Sequence, residues 1–313
     1  MKTLPKPRSD SDADVLSPIH QTPFLGPDTV GRRFLIMAET DSAALLATAR
    51  RRHWNSPEDL SELSLSCFAA GHYEEAETLC RRILELRPND EQAGVNLSAA
   101  LIEQNRLSEA EQELLALRRR CPRSSHALAN LSRVHFRQDR PRAGLAAARQ
   151  ALALDPNNVH ALQLLYAAGH ETDRLPETVR ELEKLAASAS DAWVPLLTLA
   201  QHYHTTGDEE AALHCFRGAL ERSPNSARVL HGFSGFLGET GRLGLLIEVV
   251  ENARRAGPVP PEAAYNLARA YAEIGRPDLA SEVLGWLWPQ VPPPWHDILL
   301  QLREELGEAP PLH

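Results

Sequence analysis

Thirteen histidines and four cysteines are the residues of this 313-residue chain best suited to chemistry. Six of the histidines, His126, His160, His170, His202, His204 and His231, lie close together in the sequence. Imidazoles in such numbers raise a metal site or a general base as first possibilities. Their spacing argues against both. His202 and His204 are two residues apart, about 200° around a helix, and so do not share a face. No cysteine or carboxylate completes a tetrahedral ligand set at recognisable spacing. Cys67, Cys80, Cys121 and Cys215 follow neither a disulfide nor a zinc pattern. Cys67 and Cys80 read instead as small, reduced core residues. Phosphate loops, nucleophile elbows and zinc-protease helices are all missing from the sequence. The reading is therefore of no enzyme, no metal and no cofactor.

The elements that would position any site come from a repeat. A unit of 34 residues runs without insertion or deletion from Pro57 to Pro294, in copies starting at 57, 91, 125, 159, 193, 227 and 261. A period of this size marks a stack of helical hairpins. Position seven is apolar throughout: Leu63, Leu97, Leu131, Leu165, Leu199, Phe233 and Leu267. Position fifteen tolerates a left-handed backbone: Gly71, Asn105, Asp139, Asp173, Gly207, Gly241 and Gly275. Position thirty-two is proline except at Ser190, and position twenty is alanine in four copies, Ala76, Ala110, Ala212 and Ala280. Ser56, Asp90, Ser124, Asn158 and Ser226 precede their copies as N-caps, whereas Ala192 and Pro260 cannot cap. Each copy thus reads as helix, tight turn, helix, short link. A single hairpin cannot bury its apolar face, and stacking does it.

These columns, with fragments such as Gly71-His72-Tyr73-Glu74-Glu75-Ala76 and Leu220-Glu221-Arg222-Ser223-Pro224-Asn225, resemble the tetratricopeptide repeat proteins. The resemblance implies an all-α, right-handed superhelical solenoid of antiparallel helix pairs. It implies a groove lined by the first helices and binding of a protein or peptide, with no chemistry of its own. The domain reading is a disordered tail over 1–40, an N-terminal capping helix over 41–56, seven repeats over 57–294, and a C-terminal capping helix and tail over 295–313. Phe34-Leu35-Ile36-Met37 is an apolar cluster within that tail, a candidate to occupy the groove itself.

On the first helix, positions five, nine and twelve project from a face separate from the core stripe. Position twelve reads Phe68, Ile102, Phe136, His170, His204, Gly238 and Ala272. The first three copies therefore offer an expected apolar stripe and the middle copies imidazoles. Position six carries Asn96, Asn130 and Asn266, and position nine carries Arg133, Gln201 and Arg269. By the resemblance, such asparagines bond an extended peptide backbone. The family's clamp for C-terminal carboxylates needs Lys and Asn at positions five and nine. Ser61 and Leu65, or Val95 and Ala99, stand there instead, so no such clamp is expected. The candidate groove is thus Phe68, Asn96, Ile102, Asn130, Arg133, Phe136, His170, Gln201, His204, Asn266 and Arg269. In the sixth copy Gly232, Gly235, Gly238, Gly241 and Gly244 recur every third residue, which fits a smooth floor, a weak joint or drift at tolerant positions.

A net charge of −9 gives no general support for nucleic-acid binding. Arg50-Arg51-Arg52 and Arg118-Arg119-Arg120 read as solvated helix ends. No apolar run is long enough for a membrane helix, and no secretory signal is visible. With unpaired cysteines, this points to the cytoplasm. The reading is a scaffold or adaptor holding a partner segment. The alternative is a regulatory or chaperone subunit wrapping a folded partner within an enzyme or secretion assembly.

Overall fold

Three local signals recur at fixed offsets and build every hairpin. The first is the cap. The side chains of Ser56, Asp90, Ser124, Asn158 and Ser226 each accept from the backbone N–H three residues on. The second is the turn. Position fifteen has positive φ in all seven copies, from 56° at Asp139 to 83° at Gly207. The next residue then donates back to position eleven, as in His72 N–H to Cys67 O at 2.8 Å and Arg106 N–H to Leu101 O at 2.9 Å. This is the six-to-one bond that closes a helix C-terminus. The third is the helix stop before the proline that ends every copy but the fourth, which has Ser190.

This computed structural model describes Ala47 and residues 54–307, and among them all regular structure is helical. The expected tail over 1–40, its apolar cluster, Arg50-Arg51-Arg52 and residues 308–313 lie outside the described residues. So does most of the expected helix over 41–56, of which Ala47 is helical. Two compact units divide at Leu154 and Asp155. The first holds α1 (Pro57–Ala69), α2 (Tyr73–Leu86), α3 (Glu91–Glu103), α4 (Leu107–Arg120), α5 (Ser125–Arg137) and α6 (Pro141–Leu154). The second holds α7 (Val159–Glu171), α8 (Leu175–Ser188), α9 (Trp193–Thr205), α10 (Glu209–Arg222), α11 (Ala227–Glu239), α12 (Leu243–Ala256), α13 (Pro261–Glu273), α14 (Pro277–Leu287) and α15 (Pro294–Glu305). Consecutive helices pack as antiparallel pairs in each unit. The last pair is short. α14 ends at Leu287 and continues as a single 3₁₀ turn, Trp288–Gln290. Pro289 has no N–H to continue the α-helical bonding.

Packing between the two helices of a hairpin is matched by volume. In the third copy Gly144 stands at position twenty, and a Cβ there would meet the Phe136 ring at 2.8 Å. In the sixth copy the sizes are exchanged: Leu246 stands at position twenty and Gly238 at position twelve, with Leu246 Cδ1 3.6 Å from a Cβ built there. In the fourth copy Thr178 replaces alanine, and Gly169 makes room for its hydroxyl. A Cβ at Gly238 would make only ordinary contact with Leu246, so this packing does not require glycine there. Gly235 and Gly244 have no such neighbour within 4 Å, and nothing in the packing requires glycine there.

The copies are then riveted to one another. In the first unit Glu77 takes Arg106 and Gln104 from the next copy, and Glu111 takes Arg140 and Gln138 in the same way. Burial works against both charged carboxylates. The guanidinium and amide hydrogen bonds outweigh it and hold both below the ordinary glutamate range. In the second unit the link between the fourth and fifth copies lacks both its proline and its cap. Asn157 Oδ1 caps Val194 N–H in their place at 3.1 Å, and Arg222 Nη1 gathers the Ala186, Ala189 and Ala192 carbonyls at 2.8, 3.2 and 3.0 Å.

Candidate interaction face

The first-helix face is described separately for each unit. In the first, the expected apolar stripe is closed. Phe68 is 8% exposed, packs edge-on against Tyr73 at 5.9 Å and joins a buried cluster with Leu60, Cys67 and Leu79. Ile102 is fully buried, and Phe136 is half-buried over Gly144. Position twelve is therefore a contact within the repeat core in these copies: Phe68 meets Tyr73, Ile102 joins a cluster with Ala110 and Leu114, and Phe136 covers Gly144. The asparagine column is spent internally as well. Asn130 Nδ2 donates to Val95 O at 3.2 Å and Ser98 Oγ at 2.9 Å, across to the preceding copy. Asn266 repeats the bond to Ser234 Oγ at 3.0 Å in the second unit. Asn96 is buried and accepts from Gln92 at 2.8 Å. Position six meets a serine at position eight of the copy before. The pairing makes Asn130 and Asn266 ties between repeats rather than open peptide hooks.

What remains on the face is polar. Arg133, on α5, sets Nη1 3.1 Å from Glu103 Oε1 on α3. Arg137 Nη2 lies 3.6 Å from the other oxygen of Glu103, and its Nη1 donates to Ile102 O at 2.6 Å. In the second unit His170 and Gln201 are exposed, and Arg269 is half-exposed beside Glu273 at 3.6 Å. His204 stands edge-on to Phe236 at 5.2 Å, with Nε2 2.7 Å from Glu239 Oε2. His202 is turned elsewhere, to the Tyr166 hydroxyl at 3.0 Å, and burial lowers its pKa. Glu103, Arg137, Glu239 and Glu273 occupy position thirteen, a column not singled out among the candidate residues although it is charged in five copies. That charge was its signal.

Among the described residues no three His, Cys, Asp or Glu side chains converge to hold a metal ion. No described helix is long and apolar enough to cross a membrane. Burial raises the Cys67 thiol to about 11 and the Cys80 thiol to about 12, so both stay protonated at neutral pH.

The fold and this face define an α-helical hairpin-repeat protein. Sequence models of the tetratricopeptide repeat match residues 68–134, 125–150, 196–226 and 247–284. The chain belongs to the tetratricopeptide repeat proteins. The unmatched stretch includes the fourth copy, the one with Tyr166, Thr178 and Ser190 at consensus positions. No curated protein matches the chain significantly. Among solved structures, yeast Tom70 is 13% identical over 86% of this chain and 58% of its own, with a TM-score of 0.56. Pseudomonas aeruginosa pilF is 17% identical over 66% of this chain and 95% of its own, with a TM-score of 0.43. MamA from Desulfovibrio magneticus RS-1 is 23% identical over 56% and 93%, with a TM-score of 0.39. At these identities the likeness is one of fold. Repeats of this family are, in general, non-catalytic modules of protein–protein interaction.

Proposed function

We propose that this chain is a non-catalytic scaffold that holds a partner segment along the first-helix face of its repeats by polar and ionic contacts. One observation carries the reading. Packing absorbs the large apolar residues of that face, Phe68 and Ile102, and leaves His170, Gln201 and Arg269 at its surface. A face that is not needed for stacking and still presents donors and charges suits recognition. Four free thiols, three of them buried, support action in a reducing compartment such as the cytoplasm. A second reading, a folded partner, draws on Gly235, where position nine carries no side chain and the space beside it is open.

The test is affinity capture from native extract with three forms of the full chain, matched for helicity by circular dichroism. Gln201→Glu/Arg269→Glu alters the first-helix face, and Arg217→Glu alters an exposed site on α10. The expected result is a partner held by wild type and Arg217→Glu and lost by the double variant. Loss with Arg217→Glu alone would move the binding surface to the second helices. Phe68→Glu does not serve here, because a carboxylate at a site 8% exposed tests folding instead.

A further inference from the structure

The Arg133 guanidinium is incompletely satisfied. Its Nη1 pairs with Glu103, while Nε and Nη2 are buried and have no hydrogen-bond partner. A buried donor without an acceptor is costly and uncommon in folded proteins. Glu103 is also divided, since Arg137 draws on its second oxygen. Two guanidinium charges thus face one carboxylate. Burial lowers the Arg133 pKa, and Arg137 adds to that effect against the opposing pull of Glu103. The cluster lacks one negative charge and one acceptor pair. It lies on the first-helix face of the first unit, at positions nine and thirteen.

We propose that Arg133 is an anion receptor for a carboxylate side chain, Asp or Glu, of the partner segment; this rests on the reading of the first-helix face as the binding face. The unsatisfied Nε and Nη2 form one edge of the guanidinium, the edge that binds a carboxylate through two parallel hydrogen bonds. Its side chain is 29% exposed, so a turn of the terminal torsions brings that edge to the surface. As the incoming carboxylate takes Arg133, Glu103 closes onto Arg137, now 3.6 Å away. The missing charge is a single one. That matches a carboxylate better than a phosphate, which carries about −1.5 to −2 at neutral pH. Glu103 is then an internal competitor, and removing it has a sign that a merely structural ion pair would not show.

The probe is a fluorescein-labelled, C-terminally amidated Ala–Glu decapeptide, followed by anisotropy on the full chain in low salt, with its Ala–Gln counterpart as control. The expected result is binding of the Glu peptide alone, weakened about tenfold by Arg133→Gln and strengthened about threefold by Glu103→Gln. Arg133→Lys, which keeps the charge and loses the paired donors, falls between wild type and Arg133→Gln. Inorganic phosphate at equal concentration leaves the peptide bound; displacement by phosphate would make this a site for free anions and overturn the assignment. No binding by either wild type or Glu103→Gln, or a Glu103→Gln chain that binds more weakly, would also overturn it. If a captured partner depends on Gln201 and Arg269 while the peptide ignores Arg133, the receptor fails and the scaffold stands. If no partner is captured and the peptide behaves as expected, the scaffold reading fails and the receptor stands.

Discussion

Asn130 shows how one side chain ties two repeats. Its amide donates to a backbone carbonyl and a serine hydroxyl of the preceding copy from a site 3% exposed. Replacing it with alanine removes both bonds, although Ser98 Oγ still donates to the Val95 carbonyl. A loss of about 1–2 kcal/mol is expected, read as a lower thermal midpoint. Asn130→Asp is expected to cost more, because it turns a carboxylate oxygen toward that carbonyl. Equal effects of the two changes would mean that the amide acts by volume alone. The position-six asparagines were visible in the sequence, but their role was not. A polar residue on a helix face looks the same whether it meets a ligand or the next repeat, and only the stacking distance decides.

Hairpins and links are the scale at which the sequence was most legible. Caps, left-handed turns and proline stops are local, and each acts within a few residues of itself. The position-fifteen column foretold all seven positive φ values, and the two missing caps are missing side-chain caps in the structure. What it did not reveal were compensations between columns: Phe136 with Gly144, Gly169 with Thr178, and Arg222 with a link that lacks proline and cap. These pair residues on different elements, where no single column shows the match. Arg222→Ala is expected to free three carbonyls and cost about 1.5–3 kcal/mol, with faster hydrogen exchange confined to residues 186–194. Exchange that rises evenly across the second unit would contradict a local role.

For the chain as a whole, recognition is proposed for the first helices, and the Glu77–Arg106 and Glu111–Arg140 ion pairs between copies lie on second helices and turns. Ion pairs among the second helices and turns hold the first unit together, and their pH dependence follows from direction. Glu77 and Glu111 have depressed pKa values in the folded state, so their contribution is complete above the ordinary glutamate value of 4.5 and is lost as pH falls through their folded values. The thermal midpoint is expected to drop in acid below that value, and Glu77→Gln to lower the neutral midpoint while flattening the drop. A drop as steep in Glu77→Gln as in wild type would assign the acid sensitivity to other carboxylates. On the first helices the repeat pattern named Arg133, Gln201 and Arg269 for the proposed recognition, but assigned Phe68 and Ile102 to a ligand rather than to the hairpin core. The most direct measurement is hydrogen exchange of the chain alone and with its captured partner. The account predicts new protection on first helices, with α2, α4, α10 and α12 unchanged. Protection confined to those second helices would contradict it.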